Sequence, residues 1–151
     1  MKKPFRLLLL ALCIAPLLHA CTETPSNQAP TLKEALSDKF LLGAALNEAQ
    51  ITGRDTAGIR VLKQYFNAII AENCMKSVHI HPAENKFNFA LPDQFVALGE
   101  KNNLTVFGHT FIWHSQLAPW FCVDEKGNNV SPEVLKERMK NHIHTIVGRY
   151  K

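Results

Sequence analysis

The stretch Gly108-His109-Thr110-Phe111-Ile112-Trp113-His114-Ser115-Gln116 gathers two imidazoles, an indole and an amide within nine residues. An indole face stacks on apolar ring faces, and imidazoles and amides both donate and accept hydrogen bonds. That mixture suits a neutral, polyhydroxylated ligand. Two earlier places carry matching groups: Asn47-Glu48, and Glu72-Asn73 with Lys76 close behind; Trp120 extends the third stretch. Each has an ordinary structural explanation when taken singly. Glu72 stands four residues from Lys76 and can pair with it; His109 can be a hydrogen-bonded core histidine; Trp113 and Trp120 can be core aromatics. The clustering argues for a site, because so many polar groups gathered at the ends of apolar runs are hard to explain as packing.

Metal chemistry is not expected. His79-Ile80-His81 lies in a loop beside Pro82 with no nearby third ligand, and His142-Ile143-His144 falls on a helix, where positions i and i+2 point to different sides. Cys74 and Cys122 match no zinc spacing, and two cysteines make no disulfide framework. They are expected as two buried free thiols. Lys136 to Lys140 reads as a solvated helix face. No cofactor is implied.

The elements that must position these groups alternate. Thr31 and Glu34 have capping-box spacing ahead of Ala35-Leu36. Phe40 to Leu46 is a nearly continuous apolar run, the pattern of a strand buried on both faces. Ile59, Leu62 and Phe66 recur at helical spacing, predicting a helix over Thr56 to Phe66. A second strand is predicted over Ala68 to Ala71, a helix from Pro92 with Phe95 and Leu98 inward, and a third strand over Leu104 to Phe107. Ser131-Pro132 opens a last helix, with Leu135, Met139, Ile143 and Ile146 on one face.

Such alternation predicts an α/β fold of parallel βαβ units. A doubly wound sheet and an eight-stranded barrel both fit. Gly43-Ala44-Ala45 lacks the pattern of a phosphate-binding loop, which disfavours a nucleotide-binding sheet. In a barrel, function lies at the carboxyl ends of the strands, and the polar clusters fall there.

The 151 residues suit one domain, and a hydrophobic share of 46% is that of a globular protein. Residues 1–20 read as an export signal: Lys2 and Lys3 form a basic start, and Leu7 to Leu18 an apolar run too short to span a membrane. The run ends Leu17-Leu18-His19-Ala20-Cys21, resembling a bacterial lipoprotein signal in which Cys21 takes the lipid. The alternative is an ordinary secretory signal cleaved near Ala20. Residues 21–30, rich in Thr, Pro, Ser, Asn and Gln, read as a flexible tether, and 31–151 as the folded part. The net charge of +4 includes Lys2, Lys3 and Arg6; removing them leaves fourteen basic against thirteen acidic residues. Nothing there points to nucleic acid, and a membrane is expected only through a lipid anchor.

In combination, Glu72-Asn73-Cys74-Met75-Lys76, Phe87-Asn88-Phe89, Gly108 to Gln116 and Pro119-Trp120 resemble glycoside hydrolase family 10, the endo-β-1,4-xylanases. The likeness runs from about Leu32 onward, in the family's order and spacing. It implies a (β/α)8 barrel, here roughly its first three βα units, that hydrolyses the xylan backbone with retention. It implies that Glu72, Asn73 and Lys76 bind sugars on the non-reducing side of the cut. His109 and Trp113 would contact the sugar at the cleavage point, with His114 and Gln116 supporting that wall. Retaining hydrolysis needs two carboxyl groups about 5–5.5 Å apart. By the resemblance, the acid/base belongs to an Asn-Glu pair on the fourth strand and the nucleophile to the seventh. Neither strand precedes Lys151, so no residue here is assigned a catalytic role, and Asn47-Glu48 follows the wrong strand. The 151-residue chain alone is expected to be poorly stable and inactive on xylan. The alternatives are a non-catalytic glycan-binding surface lipoprotein and a hydrolase of another β-1,4-glycan.

Overall fold

The computed structural model describes residues 29–151. The export signal, Cys21 and most of the tether lie outside the described residues. Parallel strands cannot be joined by tight turns, so the chain must cross over between them. The described elements run α1 (Leu32–Ala35), β1 (Gly43–Leu46), α2 (Glu48–Ile51), α3 (Thr56–Tyr65), β2 (Ala68–Ala71), α4 (Ser77–Ile80), α5 (Ala90–Lys101), β3 (Thr105–Phe107) and α6 (Pro132–Tyr150). Two 3-10 turns, His114–Gln116 and Pro119–Phe121, lie between β3 and α6. The strands form one parallel sheet in the order β1-β2-β3.

Local chemistry fixes the helix ends. The Glu34 carboxylate accepts from both the N–H and the hydroxyl of Thr31. Asp55 caps α3 by accepting from the Gly58 N–H at 2.8 Å, and this bond and one from Gln50 hold its carboxyl below the usual range. Asn103 ends α5 in the left-handed conformation, φ 52°, which asparagine tolerates better than most residues. Gly99, inside α5, permits close approach to the sheet: a Cβ there would lie 2.2 Å from Val106 Cγ2.

One face of the sheet is covered. Leu46, Ile69, Ala71 and Leu104 pack with Ile51, Leu62 and Phe95 from the helices. The other face carries Leu41, Ala45, Ile70 and Phe107 around a hollow of about 290 Å3. Phe40, Leu41 and Phe107 are about half exposed. This corrects the expectation of a first strand buried on both faces. Strand β1 begins at Gly43, and among the described residues only its helix side is packed. Cys122 departs from expectation too: both thiols are free, but only Cys74 is buried.

Helix α6 docks through His142 and Ile146, both buried, with Leu135, Met139 and Ile143 half-buried beside them. His144 points outward, as its spacing requires. His81 does not sit apart in an open loop. It is fully buried, and its Nδ1 lies 3.1 Å from His142 Nδ1. His142 Nε2 lies 3.0 Å from the Phe111 carbonyl oxygen, which can only accept. Nε2 therefore carries the His142 proton, His142 Nδ1 is a lone pair, and His81 Nδ1–H donates to it. His81 Nε2 is then bare, and it has no partner among the described residues. Around the pair, Phe87 stacks on His81 at 3.7 Å and Phe89 stacks on Phe87 at 5.3 Å. Asp93 of α5 binds Arg149 of α6 through two bonds, at 2.8 and 2.6 Å, and accepts from the Tyr150 hydroxyl.

Both histidines are held neutral. Burial pushes His81 down to about 4, with the neighbouring His142 adding to the effect, and burial lowers His142 as well. Unfolded histidine takes up a proton near its ordinary pKa of about 6.5. Folding therefore excludes protons between about pH 6.5 and 4, and stability is full above that window and falls as pH drops through it. The urea midpoint of the chain is expected to fall from pH 7.5 to pH 5.0, above the range where its capped carboxylates titrate. A double variant His81→Phe, His142→Leu should show a flatter dependence; equal slopes would refute the assignment.

Candidate functional site

Register brings the strand ends together. Leu46 pairs with Ala71, and Ile70 with Phe107, so the chain leaves all three strands at one edge. The Glu72 N–H donates to the Leu46 carbonyl at 2.9 Å and carries the ladder one residue further. Asn47, Glu72 and Gly108 thus start three loops side by side.

The first loop turns at once into α2. Asn47 Oδ1 accepts from the N–H groups of Ala49 and Gln50, and the Gln50 amide oxygen accepts from the Asn47 N–H. Glu48 pairs with Arg54 at 2.8 Å. The dipeptide caps a helix.

The second loop carries the polar centre. Lys76 is only 9% exposed, and a buried ammonium needs partners. Its Nζ donates to Asn73 Oδ1 at 3.0 Å and stands 5.0 Å from the centre of the Trp113 ring. Glu72 does not pair with Lys76. It is exposed, and its carboxylate has no hydrogen bond or ion pair among the described residues.

The third loop supplies the aromatic side. Trp113 is 37% exposed and meets His114 edge to face, with ring centres 6.0 Å apart. His109 and His114 are exposed, and Gln116 is half-buried with its side-chain amide free of intramolecular partners among the described residues. Ser77 clamps the loop: its hydroxyl donates to the Gln116 carbonyl and accepts from the Ala118 N–H, each at 3.1 Å. The structure joins Lys76, Asn73 and Trp113 by direct contact and sets Gln116 against the second loop through Ser77. It gives no direct contact between Glu72 or His109 and the rest. Trp120 does not extend this wall. Its indole N–H donates to the His81 carbonyl at 2.9 Å, and its ring stacks on Phe121, so it belongs to the packing beneath.

Sequence reasoning missed Ser77, His81 and His142, which position the loops. A lone serine after Lys76 carries no signal, whereas a histidine on the inner stripe of α6 does. Cys74 offers no nucleophile, since burial pushes its thiol up to about 11. Among the described residues no three His, Cys, Asp or Glu side chains group to hold a metal.

Parallel βα units with hydrogen-bonding and aromatic side chains gathered at the carboxyl ends of the strands match part of a (β/α)8 barrel. Comparison with known proteins names the family. Residues 31–151 match the family model for glycosyl hydrolase family 10, and the chain belongs to that family. Endo-1,4-beta-xylanase A of Xylanibacter ruminicola is 40% identical over 139 residues, which are 92% of this chain and 37% of that protein. Endo-1,4-beta-xylanase A of Thermotoga maritima is 39% identical over 132 residues, 84% of this chain and 12% of the relative. An endo-1,4-beta-xylanase from Caldicellulosiruptor owensensis has the same fold over 81% of this chain and 36% of its own, with a TM-score of 0.74 and 38% identity. The chain therefore spans a little over a third of the length of the first of these relatives, and less of others.

The clamp makes a direct prediction. Ser77→Ala leaves the buried Ala118 N–H without its acceptor and should destabilise the chain by about 1–3 kcal/mol. Urea unfolding of the two proteins measures this; an unchanged midpoint would show that the hydroxyl does not hold the loops.

Proposed function

We propose that this chain forms the sugar-binding wall of an endo-1,4-β-xylanase. The observation that carries the reading is the Lys76 ammonium, buried against Trp113 and held by Asn73, beside the uncommitted carboxylate of Glu72. One of the ammonium's three N–H donors is used by Asn73, which leaves donors for sugar hydroxyls. Glu72, Asn73 and Lys76 read hydroxyls on the non-reducing side of the scissile bond. His109 hydrogen-bonds the sugar at the cleavage point, and the exposed face of Trp113 stacks on it. His114 and Gln116 support that wall. Relatives named as endo-xylanases support the substrate, as does a family member, 33% identical over 81% of this chain, described in complex with xylotriose.

No residue of the wall is assigned to bond cleavage. A retaining mechanism needs two carboxyl groups about 5–5.5 Å apart, whereas Glu48 is bound to Arg54 and Glu72 serves as a binding group. The 151-residue chain is therefore expected to bind xylo-oligosaccharides without hydrolysing them. In titration calorimetry, Lys76→Ala and Trp113→Ala should each weaken xylotriose binding about tenfold or more, the equivalent of about 1.4 kcal/mol. Reducing-end release from xylan by the purified chain would overturn the division of labour, and undiminished binding by both variants would overturn the wall.

The basic start, the apolar run and Ala20-Cys21 support export with a lipid on Cys21. In a bacterial host, Cys21→Ser should move the protein from the membrane fraction to the soluble one. An unchanged distribution would count against the anchor.

A further inference from the structure

We infer that His142 is a positioning residue for sugar binding: its bond to the Phe111 carbonyl fixes the backbone that presents His109 and Trp113. The inference rests on the xylan-binding reading above and adds what holds the two halves of the wall to one another.

Residues 109–113 carry the third loop's share of the wall and form no helix or strand. Strand β3 ends just before them at Phe107, and the Ser77 clamp grips only later, at Gln116 and Ala118. Among the described residues, one hydrogen bond joins this stretch to the rest of the fold: His142 Nε2–H donates to the Phe111 carbonyl at 3.0 Å. The Trp113 carbonyl accepts from the Gln116 N–H, a bond within the loop. Phe111 stands midway between His109 and Trp113. A peptide unit is rigid, with two soft angles per residue, so holding the middle carbonyl restricts where both flanking side chains can point. The Phe111 ring also meets the His142 ring edge to face, with centres 6.4 Å apart. The Lys76 ammonium attracts the Trp113 ring from 5.0 Å but, as a point charge, does not orient the loop that carries it.

His142 is suited to hold the loop because its own place is fixed from two sides. It is fully buried on α6, a helix of 19 residues. His81 Nδ1–H donates to His142 Nδ1 at 3.1 Å, which leaves the His142 proton on Nε2, toward Phe111. His81 follows Lys76 and Ser77 in the chain, so the second loop orients the ring that holds the third. Lys76 and Trp113 are thereby linked through two buried imidazoles as well as by their direct contact. Arg138, on the same helix, does not replace this tie. Its bonds to the third loop go to the carbonyls of Trp120 and Val123, beyond the Ser77 clamp.

Two amide side chains separate the two bonds of the ring. His142→Asn keeps an acceptor where Nδ1 lies, for His81, and loses the reach to Phe111. His142→Gln keeps a donor where Nε2 lies. In calorimetry on the 151-residue chain, His142→Asn should weaken xylotriose binding about fivefold or more, and His142→Gln by less than about twofold. In a Trp113→Ala chain, His142→Asn should cost at most about twofold, since the main group it positions is gone. The double variant His81→Phe, His142→Leu leaves no imidazole unpaired and carries the test should His142→Asn fail to fold; it too should bind about fivefold or more weakly. Equal weakening by His142→Asn in both backgrounds marks a general loosening and sinks the inference, as does full-strength binding by the double variant. If the unaltered chain does not bind xylotriose, the wall reading fails instead. The Trp113 indole N–H resonance then decides the positioning role without sugar: it must shift in His142→Asn and hold its place in His142→Gln, and an unmoved resonance in His142→Asn refutes that role.

Discussion

A hydrogen bond between two neutral, buried histidines holds this structure's separate parts to one another. His81 closes the segment after β2, and His142 sits at the middle of α6. Through its other nitrogen His142 binds the Phe111 carbonyl in the loop after β3, and the His81 carbonyl accepts the Trp120 indole N–H from the same loop. Three segments distant in sequence thus meet at two imidazoles. The Phe87–Phe89 stack extends the contact toward Tyr150. Both rings are buried, so any loss of a partner leaves a polar nitrogen without water, which makes the junction cooperative.

The fold was legible where chemistry is local. The Thr31–Glu34 spacing and Ser131-Pro132 mark helix starts, and strand β2 falls on the apolar run Ala68 to Ala71. Phe40 to Leu46 was less legible, because a continuous apolar run states that both faces are greasy and not that both are covered. Short elements were missed for a different reason. Helices α2 and α4 have four residues each, too few for a periodic pattern, and they exist because Asn47 and the turn after Lys76 bend the chain at the strand ends.

For the site, residue type singled out side chains that the structure brings into contact and little of what holds them. Trp113, Lys76 and Asn73 were singled out by chemistry and spacing and lie in contact. Trp120 was credited to the same surface, since an indole near a proline looks alike in a cleft and in a core. His81 and His142 were read as two unconnected His-X-His pairs, because sequence shows neighbours along the chain and their partnership spans 61 positions. Ser77 was invisible for the same reason.

The bonds by which Ser77, His81 and His142 hold the third loop share one property. Ser77 to Gln116 and Ala118, Trp120 to His81, and His142 to Phe111 are all bonds between uncharged groups. The ion pairs Arg54–Glu48 and Arg149–Asp93 stand at exposed positions, while Arg138 of α6, mostly buried, pairs with Glu84 of the second loop at 2.8 Å and donates to the Val123 carbonyl of the third. Dissolved salt at 0.1 M largely screens exposed charges from one another beyond about 10 Å, and it acts far less on neutral buried dipoles. The histidine junction is thereby insulated from the ionic strength outside, so brine and fresh water would meet the same frame beneath the wall.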